Sequence, residues 1–248
     1  MRRDRHALWS PAVGAAGDVI AYGHHGPPVL AFPSEAGRAS DWEDRGMVGS
    51  IAPLLDAGKA KLYTVDSYDG TSWVDPSLTL EERARAHLRY ESWIVDQVVP
   101  FIWDDCHGRQ DVVTTGASLG AFHAVNLALR RADLFPAALC MSGVYDLAGM
   151  GWGERGDTFY FNNPMDYVAN LHGEHLDWLR GRARVVLVVG QGRWEDTTGA
   201  LDSTRRFAAL LGEKGIDHVA DYWGHDVPHD WPSWCAQLAH HLPALVGA

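Results

Sequence analysis

Three cysteines in 248 residues, Cys106, Cys140 and Cys235, are odd in number and have no C-x-x-C spacing, so they show no pattern of a disulfide framework. They read as reduced thiols, two of them in the core. Long apolar runs are missing as well. Met1-Arg-Arg-Asp-Arg-His6 carries positive charge with no apolar stretch behind it, so neither a signal peptide nor a spanning helix is expected. The expectation is a cytoplasmic protein with no membrane partner. Positive charge is scarce: 21 Lys and Arg face 32 Asp and Glu, and the net charge of −11 repels nucleic acids.

Several chemical signatures are absent. No Walker A loop, H-E-x-x-H or calcium-loop pattern occurs. Gly151-Trp-Gly-Glu-Arg-Gly156 matches G-x-G-x-x-G, but Asp157-Thr-Phe-Tyr-Phe opens no helical pattern, which argues against a nucleotide site. The pairs His24-His25 and His240-His241 suggest metal binding, yet adjacent residues of a helix or strand point different ways. They read as surface or turn histidines, and no metal or cofactor is expected.

What remains is the pattern of an α/β protein. No repeat, low-complexity segment or linker divides the chain, so residues 1–248 read as one domain, large enough to fold without a staple. His6–Ser10 and Asp18–Tyr22 read as an antiparallel pair around the turn-prone Gly14-Ala-Ala-Gly17. Val29–Phe32, Lys61–Asp66, Ala137–Ser142, Arg184–Val189 and Asp217–Tyr222 are further strands, the Arg184–Val189 strand being continuously apolar over 185–189 as buried parallel strands are. Helices are read at 50–57, 198–214 and 231–245. Thr79 with Glu82 forms a capping box before a long helix reaching towards Trp103. Residues 143–181 are an irregular insertion, expected to lie over the active site. Strands alternating with helices give a mostly parallel sheet of about eight strands, covered on both faces.

One stretch carries chemistry. In Asp111-Val-Val-Thr-Thr-Gly-Ala-Ser-Leu-Gly120 a β-branched run stops at Gly116 and an Ala/Leu-rich helix begins after Gly120. Strand, sharp turn and helix are the context in which G-x-S-x-G exposes a nucleophilic serine, here Ser118. The N–H of Leu119, at the helix start, is a natural oxyanion donor.

A serine hydroxyl needs a base, and the base an acid to fix its tautomer. On this architecture the order is Ser, acid, His, with acid and His on loops after strands. The loop Gly190-Gln-Gly-Arg-Trp-Glu-Asp196 offers Glu195 and Asp196, and Trp223-Gly-His-Asp-Val-Pro-His229 offers His225 and His229. Spacing alone does not choose within either pair.

Gly116-Ala-Ser-Leu-Gly120, Gly190-Gln-Gly with its two acids, and His229-Asp-Trp-Pro-Ser-Trp234 together resemble the putative-esterase branch of the α/β-hydrolase fold. That branch holds S-formylglutathione hydrolases, enterochelin esterases and mycolyltransferases. The resemblance runs from about the Val29 strand to the last helix. It implies His229, which precedes an aromatic-rich helix start, as the base. It implies Asp196, six residues after the first glycine of its loop, as the acid, with Glu195 in reserve. The second oxyanion donor is implied just after the third strand, at Ser34 or Glu35. The activity implied is serine ester hydrolysis of a small molecule through an acyl-enzyme. Acyl transfer to a non-water acceptor, or a non-catalytic binding role on the same fold, are the alternatives. Trp93 and Trp103 read as core. Trp73, Trp152, Trp194 and Trp223 fall on the active-site side, as an acyl pocket or as packing for the insertion.

Overall fold

The computed structural model describes all 248 residues. Eight strands form one sheet: β1 (Arg3–Ser10), β2 (Ala15–Tyr22), β3 (Pro28–Phe32), β4 (Lys61–Val65), β5 (Val113–Ala117), β6 (Ala137–Met141), β7 (Arg184–Val189) and β8 (Asp217–Tyr222). Their spatial order is β1-β2-β4-β3-β5-β6-β7-β8. β1, β2 and β4 pair antiparallel, and every pair from β4 to β8 is parallel.

The continuous apolar runs arise because both sheet faces are covered. Along β3, Leu30 and Phe32 enter one core while Val29 and Ala31 enter the other. β6 and β7 alternate in the same way, Cys140 and Leu187 on one side against Met141 and Val188 on the other. The helices Leu80–Trp93, Leu119–Arg130 and Ala200–Lys214 cover the first face; Met47–Ser50, Ala52–Asp56 and Trp231–Leu245 cover the second.

Several boundaries moved for physical reasons. β2 begins at Ala15, not after Gly17, because the turn closes early with Gly14 N–H on Ser10 O at 2.8 Å. Gly17 is a strand residue: a Cβ there would lie 2.6 Å from the Trp93 ring, whose packing against β2 therefore needs glycine. The expected helix at 50–57 is broken at Ile51 into two short pieces, with Pro53 in the first turn of the second. The Thr79 capping box forms, Glu82 N–H to Thr79 Oγ1 at 3.3 Å and Thr79 N–H to Glu82 Oε2 at 2.8 Å. That helix widens into a π turn over Ile94–Val98 before continuing as Val99–Asp105. Pro100 has no N–H to give and crowds the carbonyl four residues back, and a widened turn accommodates both.

The 143–181 insertion folds into short helices, Asp157–Tyr160 and Pro164–Tyr167, and the helix Gly173–Arg182. Leu147 and Phe159 from its first half join Trp73, Leu80, Leu119 and Phe122 in a small third core beside the start of the helix Leu119–Arg130. Its last helix packs Leu176 and Leu179 into the first core instead. Trp73 and Trp93 are fully buried, Trp103 and Trp223 half-buried, and Trp152 and Trp194 exposed. All three cysteines are free thiols, and Cys140 alone is fully buried, where the expectation was two. No helix is long and apolar enough to cross a membrane.

Candidate active site

Ser118 sits between β5 and the helix Leu119–Arg130 with φ 55° and ψ −122°, a left-handed conformation costly for any residue with a Cβ. Its N–H bonds Met141 O at 2.9 Å, tying the strained turn to β6. The flanking glycines are required by contact. A Cβ on Gly116 would lie 2.2 Å from Gly120 O, and one on Gly120 would lie 2.3 Å from Pro33 O. The second contact also brings the loop after β3 against the start of the helix Leu119–Arg130.

That loop presents free donors. Ala36 N–H goes to Asp69 Oδ2 at 3.2 Å and Gly37 N–H to Ser34 O at 3.0 Å, while the N–H groups of Ser34 and Glu35 meet no acceptor in the protein. Glu35, Ser118, Leu119, Val144, Met150 and Thr198 line one cleft of about 270 Å³. The insertion thus contributes Val144 and Met150 to the cleft wall.

The loops after β7 and β8 are joined to each other. Gly192 N–H bonds Val227 O at 2.9 Å, Gln191 N–H bonds Gly224 O at 3.2 Å, and His229 N–H bonds Arg193 O at 3.0 Å. A Cβ on Gly190 would lie 2.0 Å from Val227 O, which is why this loop begins with glycine. His229, so held, places Nε2 3.2 Å from Ser118 Oγ and Nδ1 2.9 Å from Glu195 Oε2. His225 is exposed, its Nδ1 3.3 Å from Gln191 O, and it approaches neither the serine nor an acid.

The carboxylate on the imidazole is therefore Glu195, and the expectation of Asp196 is corrected. Trp194 takes a left-handed φ of 72°, which turns the chain so that Glu195 enters the protein with no exposed surface. Asp196, one residue on, faces solvent and accepts the N–H of Thr197 at 2.8 Å. A buried carboxylate must be fully hydrogen-bonded to be tolerated. Glu195 Oε1 accepts the Ser142 hydroxyl at 2.5 Å and the Gly190 N–H at 3.3 Å. Ser142 is itself buried, with φ 50°, and accepts Trp234 Nε1–H at 3.1 Å. The Trp234 ring also stands edge-on to His229, centroids 5.0 Å apart.

Ser142 and Trp234 were not singled out in the sequence as parts of the site. Trp234 belongs to the aromatic segment that pointed to His229, so its motif was visible and its partner was not. A lone serine ending an apolar strand carries no local signal of its own. The histidine pair at 240 and 241 does gather with Asp221 near the sheet edge, its ligand atoms within 4.8 Å of one another. His241 Nε2 and Trp223 Nε1 both bond the Asp221 carboxylate, so that oxygen already has its partners.

A family model described as "Putative esterase" matches residues 42–245. The chain belongs to the esterase family. As a serine esterase of α/β-hydrolase fold, it superposes on a ferulic acid esterase with a TM-score of 0.76 at 17 % identity, over 99 % of this chain and 97 % of that one. MPT51 (FbpC1) of Mycobacterium tuberculosis gives 0.76 at 16 % identity, over 100 % and 99 % of the two chains. An S-formylglutathione hydrolase from Agrobacterium tumefaciens gives 0.74 at 12 % identity, over 99 % and 94 %. Comparison with curated protein sequences gives no match for this esterase.

Proposed function

We propose that this esterase hydrolyses a carboxylic ester of a small molecule through an acyl-enzyme on Ser118. The observation that carries the reading is the unbroken chain from Ser118 Oγ to His229 Nε2 at 3.2 Å and from His229 Nδ1 to Glu195 at 2.9 Å. His229 accepts the hydroxyl proton as Ser118 attacks the ester carbonyl, and the buried Glu195 carboxylate holds the Nδ1–H tautomer and stabilises the imidazolium. The developing oxyanion is received by the N–H of Leu119 and that of Glu35, which unlike Ser34 borders the same cleft. Glu35 is thus the preferred member of the Ser34 and Glu35 pair. Collapse expels the alcohol, protonated by His229, and water deacylates the serine by the same route.

Leu119, Val144 and Met150 give this cleft of about 270 Å³ an apolar wall against which the acyl group packs. The test is a fluorophosphonate probe with mass mapping of the adduct, run beside nitrophenyl esters of increasing acyl length. Labelling at Ser118, abolished in Ser118→Ala and His229→Ala, together with hydrolysis of at least one ester of the series, is the expected result. A folded wild-type protein that neither labels nor hydrolyses any ester of the series removes the reading.

A further inference from the structure

Beneath the loop that follows β3 lies a pair of ionisable side chains that the reaction does not use. His123 and Asp69 are each 1 % exposed, with His123 Nε2 2.8 Å from Asp69 Oδ1. The other carboxylate oxygen, Oδ2, accepts the N–H of Ala36 at 3.2 Å. Neither residue borders the cleft. Burying such groups is costly unless they are paired, and a purely apolar packing would serve stability at least as well. Their placement suggests a different use.

His123 is five residues after Ser118 on the nucleophile helix. Ala36 is the residue after Glu35 and takes a left-handed φ of 52°, a strained conformation for alanine. One carboxylate therefore links the helix that carries the nucleophile to the strained turn beside the free amides of Ser34 and Glu35. Asp69 occupies the Ala36 N–H, while the N–H groups of the two preceding residues meet no acceptor in the protein. The His123 side has no competing partner: its Nδ1 makes no hydrogen bond, and the ring stacks on His87 with centroids 5.2 Å apart. All of its polar bonding is spent on Asp69.

We propose that the His123–Asp69 pair is a positioning element that holds the β3 loop in register with Ser118 and so keeps the oxyanion amide at its distance from the reacting carbonyl. The inference rests on the esterase reading above, and it makes Asp69 a positioning residue, touching no substrate atom. Its substitution acts on the transition state and leaves ground-state binding of the ester nearly untouched.

Two variants separate positioning from packing. In Asp69→Asn the amide oxygen can still accept from Ala36 N–H while the amide nitrogen donates to His123 Nε2, so the link survives. In Asp69→Ala it is cut. Steady-state hydrolysis of a nitrophenyl ester should show kcat reduced about 10- to 100-fold in Asp69→Ala with KM within about threefold, less than the 10²- to 10³-fold of a donor removed outright. Asp69→Asn should stay within about fivefold of wild type. Hydrogen exchange read by mass spectrometry should show peptides over residues 33–40 exchanging faster in the alanine variant and unchanged in the asparagine variant. If Asp69→Ala does not fold, His123→Gln, whose amide can reach the same carboxylate, against His123→Leu poses the same comparison. Equal kcat in the linked and cut variants, or exchange over 33–40 unchanged by cutting the link, overturns the proposal. Wild type as inert as Ser118→Ala overturns the esterase reading instead, and the exchange data still decide whether the brace exists.

Discussion

Glu195 and Asp196 stand next to each other and offer the same chemistry, so removing each in turn is a sharp trial of the site. In Glu195→Gln the shape is kept and the charge is lost. Ser142 donates its hydroxyl to Oε1 at 2.5 Å and Gly190 adds an N–H at 3.3 Å, so the amide oxygen is held on that side. The amide nitrogen then faces His229 Nδ1, 2.9 Å away in the native arrangement, and donates to it. An imidazole that accepts at Nδ1 carries its proton on Nε2 and cannot take one from Ser118. The same inversion of tautomer in a serine protease triad costs about 10⁴ in kcat, which is about 5.4 kcal/mol of barrier. Asp196→Ala removes only an exposed contact to Thr197 N–H, and surface changes within about 0.5 kcal/mol translate to roughly a twofold effect. The assay is kcat/KM on a nitrophenyl ester and the second-order rate of fluorophosphonate labelling, with near-ultraviolet circular dichroism to establish that each variant is folded. An Asp196→Ala variant that is inactive beside an active Glu195→Gln variant would refute the assignment and the loop geometry behind it.

Two further outcomes follow from buried polar groups. Ser142→Ala removes a hydrogen bond to a carboxylate, worth about 1.5–3 kcal/mol, and leaves Trp234 Nε1–H without its acceptor, so kcat should fall at least tenfold and the melting temperature should drop; an unchanged kcat would show that Glu195 does not need this support. His87 is buried with both ring nitrogens unbonded, and desolvation, followed by the nearby His123 and Arg130, holds its pKa well below 6.5. The unfolded chain binds a proton there that the native state refuses, so stability is full above about pH 6.5 and falls as pH drops below it, by up to about 1.4 kcal/mol per pH unit. Denaturation midpoints of His87→Leu between about pH 5 and pH 7 should therefore fall less steeply than those of wild type, and parallel curves would dismiss the linkage.

What the sequence disclosed was whatever local geometry determines. The capping box at Thr79 lies within four residues, and the strands of the parallel sheet announce themselves because each of their residues is buried on one face or the other. Ser118 was legible for the same reason, since the two glycines that let strand and helix meet lie within the motif itself. The contacts that stayed hidden join residues far apart in the chain: Ser142 and Glu195 are 53 residues apart, Asp69 and His123 are 54. No spacing rule reaches so far. The choice between Glu195 and Asp196 was lost in another way. Counting six residues from Gly190 presumes a loop that keeps its conformation from relative to relative, and here the loop contains a left-handed Trp194 that sends the fifth residue inward. A side chain that leaves the backbone one residue earlier must span a different distance to reach the same imidazole, and glutamate has one more methylene than aspartate with which to do it. In this loop the fifth residue, Glu195, reaches the imidazole at 2.9 Å, and the sixth, Asp196, faces solvent.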